Sequence, residues 1–177
     1  MNSAIDFDGS DDHVAIVNDT LIDLNDALSQ ELAISYWVYP HSDGESNTGY
    51  IFQENTNTYC QTTNDDATYV DLACALDLST DATLTVTDAL RLSQWSHVTL
   101  LWNNDADDEL TIYINGTYRG ESTNGVGDPS TDTANLYLGG NTTNFDGLLD
   151  DFRIYNYALT PTQVKAVMNY DSALKFE

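Results

Sequence analysis

Basic residues are nearly missing from this chain. Its 177 residues include 29 aspartates and glutamates but 5 lysines and arginines, for a formal net charge of −24. With no basic patch to meet phosphates, nucleic acid is excluded as a partner. Apolar runs are short as well, none approaching the roughly 18 residues that a membrane-spanning helix needs, so no membrane insertion is expected. Only two cysteines occur, too few and too far apart for a CxxC-type metal or redox site. No histidine stands at recognisable spacing from a serine or cysteine nucleophile. Nothing at the start resembles a signal peptide, and Met1 leads within three residues into a strand pattern.

What is present is apolar enough to fold. Hydrophobic residues make up 41% and aromatics 11%, which excludes a disordered acidic tail. The length suits one domain over residues 1–177. Self-repulsion at this charge destabilises a compact chain in dilute buffer and becomes tolerable once salt screens it. The near-absence of lysine sets the sequence apart from ordinary acidic surface proteins and points to a high-salt environment.

The periodicity is that of strands. Segments 32–40 (LAISYWVYP), 97–102 (HVTLLW), 110–116 (LTIYING), 135–140 (NLYLGG) and 152–159 (FRIYNYAL) are short, rich in β-branched and aromatic residues, and bounded by turn formers. Leu110, Ile112 and Ile114 share one face of their segment, while Thr111 and Tyr113 share the other. Asn115-Gly116 then supplies a tight hairpin turn. The pattern predicts an all-β, two-sheet antiparallel sandwich. One short helix is expected over 160–168, with Thr160 as N-cap, Pro161 in the first turn and Gln163 completing a capping box. Its length suggests a lid on one edge of the sandwich.

IDFDGSDDHV, LAISYWVYP, WSHVTLLW, LTIYING, LYLGG and FDGLLDDFRIYNYALTPTQV follow one another in that order. With these segments the chain resembles the concanavalin A-like lectin/glucanase superfamily, in its laminin-G-like or pentraxin-like branch, from about Ile5 to Val167. Residues 41–94 match that pattern poorly. The resemblance implies a jelly roll of roughly a dozen strands with the first and last side by side. It would bring together FDGSDD (7–12) and FDGLLDD (145–151), whose carboxylates repel unless a hard cation sits between them. Ca²⁺, which takes six to eight oxygens, fits such a set. By analogy with the glucanases of this fold, counting back from Arg153 selects Asp150 as a ligand, joined by Asp8, the carbonyls around Gly9, and Asp12. The alternative is that these aspartates form Asx-turns and a salt bridge to Arg153.

Cys60 and Cys74 lie symmetrically about Ala67. A hairpin turning at Asn64-Asp65-Asp66 would set them directly opposite each other, near what a disulfide requires, and such a bond suits an external protein. Asn18 and Asn141 head candidate glycosylation sequons, as does Asn115, which the turn already explains. His97 reads as structural. The acidic loop 103–110 lacks the glycine of an EF-hand and reads as a solvated turn.

An enzyme is not expected. The glutamates (Glu31, Glu45, Glu54, Glu109, Glu121, Glu177) are isolated, and no Glu-x-Asp-x-(x)-Glu run sets paired carboxyls on one strand face. The fold implied by the resemblance also hosts lectins and adhesion modules, in which aromatic rings stack on sugars; Tyr36, Tyr39, Tyr50, Tyr59 and Tyr69 fall in the least family-like region. A domain of this kind starting at Met1 without a signal suggests assembly inside a cell and later release. The expectation is therefore a virion surface protein of a high-salt host, with other virion proteins, symmetric copies of itself and host glycans as partners. A recombinant module of a secreted adhesin or polysaccharide-processing protein is the alternative. If charge repulsion governs stability, raising KCl from about 0.1 M to about 2 M, which shortens the screening length from roughly 10 Å to a few Å, raises the thermal midpoint; circular dichroism melts giving a flat or falling midpoint would refute this.

Overall fold

The computed structural model describes residues 4–17, 31–104, 108–129 and 134–169, and among them fourteen strands, one α-helix and a short 3-10 turn at Glu45–Asn47 form. The chain begins with β1 (Ile5–Asp8), β2 (Val14–Ile16), β3 (Glu31–Pro40), β4 (Thr48–Gln53) and β5 (Tyr59–Thr63). It continues through β6 (Tyr69–Leu76), β7 (Leu78–Thr80), β8 (Ala82–Arg91), β9 (Ser96–Asn103) and β10 (Glu109–Ile114). It closes with β11 (Thr117–Ser122), β12 (Val126–Pro129), β13 (Leu136–Leu138), β14 (Asp146–Tyr155) and the helix α1 (Pro161–Met168). Two six-stranded sheets face each other, one in the order β1-β14-β3-β9-β10-β11 and one in the order β2-β13-β4-β5-β6-β8; β7 and β12 form a separate ribbon. All registered strand pairs are antiparallel, giving the jelly-roll sandwich.

Alternation builds the core. From the first sheet, Ile34, Tyr36 and Val38 on β3, Leu100 and Trp102 on β9, and Leu110 and Ile112 on β10 point inward and are almost fully buried. The second sheet contributes Phe52, Leu72, Leu76 and Leu90. Tyr36 lies flat against Phe152, ring centroids 5.8 Å apart, and burial pushes its phenol well above the usual range.

The chain ends do lie side by side. β1 runs antiparallel to β14 with Phe7 opposite Gly147 and Asp8 opposite Asp146, so the two FDG segments pair with each other. The second of them is strand rather than turn. Phe7 points inward, meets Phe145 edge-on at 6.2 Å, and leaves no room for a side chain at Gly139, where an added Cβ would lie 2.3 Å from its ring.

α1 is capped as its sequence predicts: Thr160 Oγ1 accepts from the Gln163 backbone N–H, and Gln163 Oε1 accepts from the Thr160 N–H. Its packing differs from the expectation of an edge lid. Val164 and Leu159 sit on Ala33 of β3 and Leu101 of β9, flanked by Tyr113, Tyr155 and Val167, so the helix covers the middle of the first sheet's outer face. The reason lies in the strands: Ala33 and Leu101 give that face an apolar patch that α1 must bury.

The hairpin of β5 and β6 places Cys60 opposite Cys74 and Thr62 opposite Leu72, and the two sulfurs are bonded across a sequence separation of 14. A loop of this size is worth about 3 kcal/mol of denatured-state entropy. Cys60→Ala/Cys74→Ala is expected to lower unfolding free energy by about 2–4 kcal/mol in denaturant titrations, and an unchanged midpoint would show that the cross-link contributes nothing.

Candidate functional site

At the start of the chain, the turn after β1 carries the acidic residues. Gly9 makes it possible, with φ at +76° and its Cα packed so close to Asp146 that a Cβ would lie 2.9 Å from that residue's own Cβ. The carboxylate oxygens of Asp8, Asp11 and Asp12 converge within 4.8 Å of one another on the exposed surface. Asp8 Oδ1 accepts from the Ser10 N–H at 2.9 Å, and Asp12 Oδ2 from the Asp8 N–H at 3.3 Å. Asp146, across from Asp8 in register, accepts instead from the Ser42 hydroxyl at 2.7 Å and lies 3.3 Å from His41 Nδ1.

Asp150 does not join this group. It stands four residues beyond Asp146 along β14, opposite Trp37, which is about 13 Å up the strand. Its Oδ1 accepts from the Asp151 N–H, while Asp151 holds Arg153 in a 2.7 Å ion pair. Counting back from Arg153 lands on Asp150, but the β1–β14 register sets Asp8 opposite Asp146, four residues earlier on β14. The residue that sequence reasoning missed here is Asp11, whose neighbours in FDGSDD were the available signal.

The tyrosines separate by face. Tyr36 is in the core. Tyr39 lies on the outer face of the first sheet with His41 and Trp95. Tyr50, Tyr59 and Tyr69 emerge half-buried on the outer face of the second sheet, which no helix among the described residues covers. Tyr50 and Tyr59 meet edge-on at 5.3 Å. Their strand neighbours are small: Tyr59 pairs with Ala75, and Gln61 pairs with Ala73, leaving the rings standing above a low floor. Gln61, across from Tyr50, holds its amide oxygen buried without a hydrogen-bond partner, and Thr143, whose carbonyl accepts from the Tyr50 N–H, does the same with its hydroxyl. Gln53 accepts from the Thr142 hydroxyl beside them. Burial first, and the Tyr59 phenol second, hold the Tyr50 phenol above its ordinary range, so it remains a hydrogen-bond donor.

The remaining sequence candidates are dispersed. His97 is 1% exposed and stacks edge-on against Trp37. Burial drives its imidazole down to about 4, keeping it neutral and structural. Asn115 uses its side chain to accept from the His97 N–H inside the β10–β11 turn. Asn141 is exposed, Asn18 lies outside the described residues, and the acidic loop 103–110 is described only at its ends. Glu31 and Glu109, far apart in sequence, flank Asn103 on adjacent strands of the first sheet.

No curated protein matches the sequence significantly. Solved structures share the fold. The native heptameric SAP-like pentraxin of Limulus polyphemus superposes with a TM-score of 0.68 at 20% identity, over 95% of this chain and 82% of that one. Domain 4 of AbnA, a GH43 extracellular arabinanase from Geobacillus stearothermophilus solved with arabinotriose, gives 0.65 at 24% identity, over 93% and 76%. The binding domain of Paraclostridial Mosquitocidal Protein 1 gives 0.70 at 16% identity, over 94% and 43%. Residues 8–165 match the laminin-G-type family described as the concanavalin A-like lectin/glucanases superfamily, and the chain belongs to it.

Proposed function

We propose that this is a non-catalytic recognition domain that binds glycans on the outer face of the second sheet, displayed outside a cell or on a virion surface at high salt. One observation carries the reading: Tyr50 and Tyr59 meet edge-on on the outer face of the second sheet, with the small Ala75 beside Tyr59 on the next strand. Rings offer a flat apolar surface to a sugar face. The arabinotriose bound by the AbnA domain supports an oligosaccharide as the ligand class. The Cys60–Cys74 bond supports an oxidising, external setting, and the charge of −24 supports a saline one. Copies of the chain in a symmetric assembly, alongside other surface or virion proteins, are the partners that such a setting implies. A glycan array run in molar salt is expected to give hits. Tyr59→Ala then weakens a hit by about tenfold, equivalent to about 1.4 kcal/mol, while Tyr39→Ala on the opposite sheet leaves it unchanged. An empty array, or full binding by a Tyr50→Ala/Tyr59→Ala protein that still folds, would sink the reading.

A structural Ca²⁺ is proposed at the turn after β1. Three converging carboxylates are a donor set that a hard, oxygen-preferring cation matches. Asp8, Asp11 and Asp12 would hold it, with carbonyls around Gly9 completing the shell and Asp150 taking no part. Because such an ion binds only the folded chain, adding EGTA at constant ionic strength is expected to lower the thermal midpoint, and Asp12→Asn to abolish that sensitivity. Superimposable melts with and without chelator would exclude the ion.

A further inference from the structure

The first sheet carries a separate cavity, of about 160 Å³, where the segment leading into α1 passes over β9 and β10. Its apolar lining is Leu101, Ala158 and Leu159; its polar lining includes Asn103, Thr111 and Glu109, with the Tyr113 ring as one wall. One oxygen of Glu109 accepts from the Thr111 hydroxyl at 2.6 Å, fixing the carboxylate. On the β11 side, Tyr118 pairs in register with Tyr113 and meets its ring edge-on at 6.0 Å, while Glu121 pairs with Thr111. Among the described residues, neither Glu109 nor Glu121 forms an ion pair with an arginine or lysine. Negative charge and aromatic surface thus accumulate here, with no basic side chain paired to either glutamate among the described residues.

We propose that this cavity is a binding site for a compact organic ammonium group, held by the Glu109 carboxylate and the face of Tyr113. Ring quadrupole and carboxylate attract the same ligand, and the apolar floor of Leu101 and Leu159 favours a cation clothed in methyl or methylene groups over a hydrated metal ion. A neutral sugar would gain little from a site whose charge it cannot satisfy. The Tyr113 phenol agrees with this field: partial burial, then Glu109 and Glu121, hold it above its ordinary range. The site lies on the opposite sheet from Tyr50 and Tyr59 and stands independently of the glycan reading.

Tetramethylammonium chloride is the probe, titrated at constant chloride and followed by the tyrosine ring resonances in NMR. Saturable shifts confined to Tyr113 and Tyr118 are expected, with no response to an equal concentration of sodium chloride or methyl glucoside. Glu109→Gln is expected to weaken binding by about tenfold, Tyr113→Leu to abolish it, and Tyr113→Phe to stay within about twofold of the parent. Should Glu109→Gln disturb folding, Glu121→Gln on exposed β11 is expected to weaken the probe severalfold with an unchanged melt. Linear shifts, equal shifts in sodium chloride, saturation by the glucoside instead, or undiminished affinity in correctly folded Glu109→Gln would each overturn the assignment.

Discussion

The antiparallel pairing of the two FDG segments is the constraint on which the rest of the molecule depends. β1 ends the first sheet and β2 ends the second, so the chain crosses between layers within residues 9–13. Phe7 is the last inward residue before that crossing and fills the core against Phe145 and Gly139. Once Phe7 faces inward, Asp8 must face outward beside Asp146, and the remaining aspartates of the turn crowd the rim where the layers part. Acidity there follows from topology: a turn that leaves one sheet and enters another has backbone groups to satisfy, and short carboxylates accept from them.

Much of this was legible in the residues, wherever a local rule was also the global one. Alternation in LTIYING sorted Leu110 and Ile112 into the core, because a half-buried strand has one apolar face wherever it sits. The symmetry of Cys60 and Cys74 about Ala67 is the register of the β5–β6 hairpin, since a hairpin is paired by its own turn. The Thr160 cap worked for the same reason. Register between distant strands was not legible. Counting back from Arg153 selects Asp150, but which residue of β14 faces Asp8 is set by the β1–β14 register, which places Asp146 there. The helix was placed at an edge because its length says nothing of its partner; Ala33 and Leu101, two small clues in two strands, decide it. Likewise the accumulation of Glu109, Tyr113, Tyr118 and Glu121 needs three strands to be aligned before it exists.

The two outer faces consequently have different characters. On the first sheet α1 removes the central apolar patch from water and leaves a walled cavity at its N-terminal flank. On the second, Tyr50, Tyr59 and Tyr69 emerge half-buried, and no helix among the described residues covers them. A sandwich can hold such a division because its core is closed by inward residues alone, leaving each outer face free to change without unpacking the interior.

A surface this acidic constrains what kind of recognition can work. In dilute buffer its field would reach far and repel any anionic partner; at molar salt the screening length contracts to about 3 Å, and steering at a distance is lost. Contacts that survive are those made inside that length: ring faces against ligand carbon, a buried acceptor meeting a hydroxyl, a carboxylate touching a cation already stripped of water. Both faces carry aromatic rings that could make contacts of that kind. At molar salt, then, a charge of −24 and short-range recognition would be compatible in one molecule, because ions that screen charge at a distance leave contacts inside the screening length in place.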